Sequence, residues 1–361
     1  MTKKKVLIYG LTAELGGVEK YFLDRLAYLK KEADICFIIP GNGNISFENV
    51  LKTENVKIKR IPHLVTPIAY YCAIKNILIN GKYDVLYCNL TYANAILYFL
   101  AWQLNIKLIV HSHNTSIDAE SKKKRILMKA FHYFSRKFSF LIDKEYGCSK
   151  DACKWLFGKV NKAKIRKNAI KTELFQYNPE TRHRIREELK LKENFTIGHV
   201  GRFSFQKNHE FLIRIFSEIL KKNETAKLLL IGTGETEQLI RQQIINLGIE
   251  KSVYFLGLRN DVPELMQAMD CFVFPSRFEG LGIVGIEAQT SGLKCFFSDV
   301  TPRELEITCN AQVISLQDSP GFWAKKILDS GVNMTRKEAC AEVVKAGYDL
   351  TSQMMNVKFF E

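Results

Sequence analysis

Short apolar runs alternate with stretches of helical spacing along almost the whole chain. Residues 5–9, 35–39, 56–58, 84–88, 107–110 and 140–148 read as strands. Between them, 18–29, 67–79, 92–103, 121–137 and 151–157 carry apolar side chains three and four residues apart, the spacing of a helix face. The alternation ends in 164–175, and 176–192 is polar and charged with one proline, a candidate linker. It then restarts, with strands at 195–200, 228–231, 253–256, 271–274 and 293–297 and helices at 261–269, 319–328 and 336–346. Such a pattern predicts α/β units with parallel strands and crossover helices. Ligands in such sheets bind beyond the carboxyl ends of the strands. A length of 361 residues suits two domains, here 1–175 and 176–346.

One stretch departs from plain alternation. Residues 274–292 read FPSRFEGLGIVGIEAQTSG, with Glu279 and Glu287 separated by seven residues. Gly280, Gly282 and Gly285 lie between them. The pattern is strand, glycine-rich loop, then a helix from about Gly282 with Ile283, Ile286 and Ala288 facing inward. A helix N-terminus offers unpaired N–H groups, and small residues let an anion approach. Ionised carboxylates only accept hydrogen bonds. Two of them flanking an anion-binding turn suit a ligand with hydroxyls at both ends and phosphates between, as in a nucleotide-sugar. The competing reading is a loop glutamate in water and a helix glutamate on a solvated face.

Other loops at strand ends carry further candidates. Gly16 and Gly17 precede the first helix and would let phosphate or sugar approach the backbone. The spacing is not the dinucleotide fingerprint, and GTGETE at 232–237 reads as a plain turn. HSHN at 111–114 places a histidine where it could donate to a sugar hydroxyl or cap a turn. No third ligand clusters near His111 and His113, so no metal site is expected. Arg202 and Lys207, in GRFSFQKN at 201–208, could neutralise a diphosphate leaving group without metal. No Asp-x-Asp pair occurs.

Charge changes the picture of the first half. Residues 1–175 hold 30 Lys and Arg against 14 Asp and Glu, while the rest hold 23 against 24. Residues 121–137, SKKKRILMKAFHYFSRK, supply seven of those cations. Leu127, Phe131, Phe134 and Phe138 fall at helical spacing, and no acidic residue occurs from 121 to 142. A basic helix with an aromatic face fits a membrane interface, or a solvated helix whose aromatic stripe packs on its own domain. The opening MTKKKVLIYG carries no secretory signal pattern, and nine cysteines without CxxC spacing read as reduced thiols. Both point to a cytoplasmic protein, and the charge of the first half to one bound peripherally to the inner membrane face.

EGLGIVGIEA at 279–288 resembles the E-x7-E signature of retaining glycosyltransferases of family 4, which have the GT-B fold. GRFSFQKNHEFL resembles that family's GR…K segment and GGVEKY its N-terminal glycine loop. HSHN followed by CSKDACKWLFG resembles the capsular polysaccharide and exopolysaccharide branch. The resemblance implies two Rossmann-like domains facing a central cleft, with 347–361 crossing back to the first. It implies that Arg202 and Lys207 bind the diphosphate, Glu287 the ribose, and Glu279 the donor sugar. It places the amides around Gly282, Ile283 and Val284 against phosphate and sugar. It sets His113, rather than His111, by the transferred sugar's C6 hydroxyl, and Gly17 near the diphosphate. The expected activity is metal-independent, retaining transfer of a hexose or N-acetylhexosamine from a UDP-sugar to a lipid-linked oligosaccharide at an anionic inner leaflet, with no cofactor. One departure is Lys171, where the family has Asp after Asn-Ala-Ile. Alternatives on the same fold are a sugar-nucleotide 2-epimerase and a non-catalytic sugar-nucleotide-binding subunit at the membrane. No nucleic-acid-recognition module is present.

Overall fold

The computed structural model describes residues 3–63, 66–117, 122–158, 162–331 and 334–361, and of Lys122 the backbone alone. The chain divides into two compact units, 1–169 with 350–361, and 170–349. Each is built on one parallel sheet.

The first unit carries β1 (Lys4–Tyr9), β2 (Ala33–Pro40), β3 (Lys57–Ile61), β4 (Val85–Leu90), β5 (Lys107–Ser112), β6 (Lys144–Gly147) and β7 (Lys164–Ile165) in the order 3-2-1-4-5-6-7. Its strands alternate their side chains between two apolar layers. Val6, Ile8, Phe37 and Tyr87 pack into one, Leu7, Ile38, Leu86 and Val110 into the other. Burial on both faces explains why these runs are apolar throughout rather than alternating. The last segment, with helix Leu350–Asn356, closes the first layer with Phe359 and Phe360. Arg166 lies 3.7 Å over the Tyr146 ring and 4.4 Å over that of Phe359.

The second unit carries β8 (Thr196–Val200), β9 (Lys227–Ile231), β10 (Val253–Gly257), β11 (Cys271–Phe274), β12 (Lys294–Ser298) and β13 (Ala311–Ile314) in the order 10-9-8-11-12-13. In each sheet the order reverses once, between β1 and β4 and between β8 and β11. The loops leaving those strands open a crevice at that point. Both candidate glycine loops lie at such a reversal.

Four expectations need correction. Residues 176–192 are no linker. Helix Pro179–Glu188 forms there, capped by Asn178 Oδ1 accepting from Thr181 N at 2.9 Å. Its charges are structural: Arg182 pairs with Asp270 at 2.6 Å, and buried Arg186 donates to the carbonyls of Ala268, Lys192 and Asn194. The helix expected from 92 begins at Ala95, because Asn94 Oδ1 accepts from Ile96 N and Leu97 N and fixes the start. The strand expected over 140–148 is only Lys144–Gly147, preceded by a 3₁₀ turn at Ser139–Leu141 with Phe140 exposed. Ile283 is half-exposed at the first turn of its helix, while Ile286 and Ala288 are fully buried as expected.

The basic segment forms helix Lys122–Arg136; Ser121 and the Lys122 side chain lie outside the described residues. Its aromatic stripe is split: Phe131 and Phe138 are half-buried, Phe138 against the core, whereas Leu127 and Phe134 face out. Leu127 is 72% exposed and Phe134 56%, while His132 and Ser135 are fully buried. His132 Nδ1 accepts from Ala93 N at 3.0 Å, and its ring stacks on Trp155 at 4.2 Å. Among the described residues no helix is long and apolar enough to cross a membrane.

Candidate functional site

In the second unit, the loops leaving β8 and β11 are tied to each other. Lys207 Nζ lies 2.7 Å from Glu279 Oε1, and 4.5 Å over the Phe274 ring. The pair is largely withdrawn from water, with 16% of the lysine and 6% of the glutamate side chain exposed. Backbone contacts fix the two loops: Arg277 N donates to Gln206 O at 2.8 Å, and Gln206 Nε2 to Phe278 O at 3.0 Å. Arg202 stands on the same loop as Lys207 but outward, its Nε 3.1 Å from Glu235 Oε2.

Gly282 caps helix Ile283–Thr290 in the left-handed region, at φ 84° and ψ 62°. A Cβ there would be strained whatever the space, which explains the glycine. At Gly285 a Cβ would come within 2.9 Å of Leu305 Cδ1. Glycines at these two positions let the helix start sit tight against β11 and β12. Glu287 is buried on this helix, at 4% exposure, just past its first turn.

Beneath Lys207 lie two buried histidines that sequence reading passed over. His199 Nδ1 donates to Val273 O at 2.8 Å. His209 stacks on Phe203 at 4.1 Å and lies 4.6 Å from His199. Burial lowers the His199 pKa to about 4 and that of His209 to about 2, and Lys207 adds to both shifts. Both are therefore neutral, so the floor under Lys207 adds no positive charge. The only sequence signal was their position, at either end of the GR…K loop.

In the first unit, Gly16 caps helix Gly17–Glu32, and Gly17 is exposed at its first position. Glu19 Oε2 accepts from Gly16 N at 3.0 Å, and its Oε1 from Thr12 N at 2.7 Å. The carboxylate thus already engages part of the glycine loop. One turn on from Gly17, the Tyr21 ring meets that of His113 edge-on at 5.3 Å.

His113 follows β5, its Nε2 2.9 Å from Asn89 Oδ1. Asn89 Nδ2 donates to Tyr9 O at 3.0 Å, which turns Oδ1 toward the histidine. Nε2 therefore carries the proton and Nδ1 is the bare nitrogen. Burial, reinforced by Arg25, lowers the His113 pKa to about 3, so the ring is neutral. His111 is fully buried beside it, with Nδ1 3.0 Å from the Tyr87 hydroxyl, and belongs to the core. Asn89 was legible as the one polar residue in VLYCNL. Among the described residues no group of three or more His, Cys, Asp and Glu side chains gathers as a metal site.

Residues 181–330 match the family described as "Glycosyl transferases group 1". Residues 181–330 thus form a group 1 glycosyltransferase domain, and the chain has the GT-B fold. This glycosyltransferase is 26% identical to glycosyltransferase EpsF of Bacillus subtilis over 96% of its own length and 94% of the relative's. It is 23% identical to the Escherichia coli UDP-Gal:alpha-D-GlcNAc-diphosphoundecaprenol alpha-1,3-galactosyltransferase, over 99% and 96% of the two chains. The crystal structure of Anabaena HepE in complex with UDP and glucose superposes with a TM-score of 0.80 at 18% identity, covering 98% and 97%. The family match includes Lys207, Glu279 and Glu287 and lies wholly in the second unit.

Proposed function

We propose that this glycosyltransferase moves a hexose or N-acetylhexosamine from a UDP-sugar to a lipid-linked oligosaccharide, with retention at the anomeric carbon, in cell-surface polysaccharide synthesis. The observation that carries the reading is the Lys207–Glu279 contact at the sheet reversal. It sets a cation and a hydroxyl acceptor side by side, close to the capped start of the Gly282 helix.

Arg202 and Lys207 are assigned to the diphosphate, whose negative charge grows as the sugar–phosphate bond breaks. The amides at Gly282, Ile283 and Val284 face the same charge from a helix N-terminus. Glu279 accepts from donor-sugar hydroxyls, and Glu287 from the ribose. His113, neutral with Nδ1 unprotonated, is assigned to the C6 hydroxyl of the transferred sugar as an acceptor. Gly17 lets the diphosphate approach the backbone. These cations and dipoles supply the leaving-group stabilisation, so no metal or cofactor enters the scheme.

The donor assignment draws on the UDP held by HepE, and the acceptor on the diphosphoundecaprenol named for the Escherichia coli relative. The cation excess of 1–175 supports work at the anionic inner face of the cell membrane. The test is calorimetry against UDP, GDP and ADP, followed by transfer from the preferred nucleotide-sugar to a polyprenyl-diphosphate-linked sugar. The linkage formed is then read by NMR, with and without EDTA. Inversion at the anomeric carbon, activity lost with EDTA, or no binding of any nucleotide diphosphate would each refute part of the assignment.

A further inference from the structure

The helix Lys122–Arg136 is partly inverted. Its buried side is polar: His132 and Ser135 are fully buried, and His132 docks through the Ala93 amide and the Trp155 ring. Of its apolar stripe Phe131 and Phe138 are half-buried, but Leu127 and Phe134 face away from the unit and are among the most exposed apolar side chains of the described residues. An amphipathic helix that packs on its own domain shows the opposite arrangement.

The stripe continues onto neighbouring elements. The Phe138 ring lies 5.3 Å from Phe134, 4.8 Å from Phe99 and 6.3 Å from Phe140. Phe140 is 68% exposed, and Trp102, one turn beyond Phe99 on its helix, is 67% exposed. Scattered exposed apolar residues are ordinary; a connected exposed aromatic cluster marks an interaction surface. Lysines and arginines frame it, with no acidic residue from 121 to 142.

Resting on the membrane reading above, we propose that this face is the membrane-inserting surface. The helix lies in the plane of an anionic leaflet. Leu127, Phe134 and Phe140 enter the acyl boundary, Trp102 sits at headgroup depth, and the cations hold lipid headgroups. The charge selects this occupant: two copies meeting through the same face would oppose cation to cation, whereas an anionic bilayer complements it. The consequence is a division of labour. Lys123, Lys124 and Lys129 bring the protein to the surface, and the apolar stripe fixes depth and orientation there.

The experiment uses the full chain and vesicles of phosphatidylcholine with phosphatidylglycerol, some carrying brominated acyl chains. Wild type is expected to sediment with the vesicles at low salt, and bromolipid to quench its tryptophan fluorescence. That quenching falls sharply in Trp102→Phe, because Trp323 is fully buried and Trp155 is half-buried against His132. Leu127→Ser/Phe134→Ser/Phe140→Ser, which keeps every cation, should partition at least tenfold less while melting at the wild-type temperature. If wild type sediments but Trp102 is not quenched and the triple variant partitions equally, insertion is overturned while the membrane reading stands on charge. If wild type sediments with no vesicle, both fall. If sedimentation velocity shows a wild-type dimer that the triple variant dissociates, a second copy covers the face and the proposal is overturned.

Discussion

Replacing Lys207 by alanine should cost stability as well as activity. Its ammonium lies 2.7 Å from the Glu279 carboxylate, and only 16% and 6% of the two side chains reach water. Removing one partner of a buried pair costs about 3–5 kcal/mol, since the other charge stays buried without it. The residual exposure of Lys207 favours the lower end, about 3 kcal/mol. Each kcal/mol moves the melting temperature of a domain of this size by about 2–4 °C, so the expected drop is about 6–12 °C. Removing both groups, in Lys207→Ala/Glu279→Ala, should recover a large part of it. Scanning calorimetry of wild type, both single variants and the double variant closes the cycle. Turnover should fall about 10²-fold or more in Lys207→Ala and stay low in the double variant. The reasoning fails if Lys207→Ala melts with wild type, or if the two single losses simply add.

Arg202 offers the contrast. With 62% of its side chain exposed beside Glu235, Arg202→Ala should leave the melting temperature within about 1 °C but lower turnover about 10²-fold. A melting drop as large as that of Lys207→Ala would contradict this. Glu287→Ala should weaken UDP binding, whereas Glu279→Ala should spare it and damage transfer; calorimetry showing the reverse would exchange their roles. For His113, the folded pKa of about 3 lies below the usual 6.5. As pH falls through 6.5 the unfolded chain takes the proton first, so this contribution to stability is whole above 6.5 and is lost down to about 3. Urea unfolding between pH 7 and 4 should show His113→Gln with a flatter loss, by up to about 1.4 kcal/mol per pH unit. An unchanged slope would place His113 in water.

Much of the fold was legible because strands buried on both faces leave continuous apolar runs, and Asn94, Ser149 and Ser319 mark helix starts by capping them. Lys207 and Glu279 were legible as motifs, but their separation by 72 positions hid their contact, which the β8–β11 pairing creates. The helix Pro179–Glu188 was missed because its polar composition looks solvated. Arg182 and Arg186 in fact spend their charge on Asp270 and on backbone carbonyls. Periodicity found the stripe of Leu127 and Phe134 but could not give its direction. That depended on what His132 and Ser135 meet at Ala93 and Trp155, a tertiary fact. The neutral tautomer of His113 likewise depends on Asn89, 24 residues earlier.

The first unit is discontinuous, its last piece being 350–361. On a ribosome this sets an order of assembly. Residues 170–349 are all made before the segment that carries Phe359 and Phe360, at roughly 5–20 residues per second. The nascent first unit therefore waits about 10–40 s with an apolar layer open and the Arg166 guanidinium lacking the Phe359 face it later covers. At the end of that interval the second unit has every residue it needs, and the first does not. A chaperone that shields exposed apolar surface would find its substrate in the half that was synthesised first.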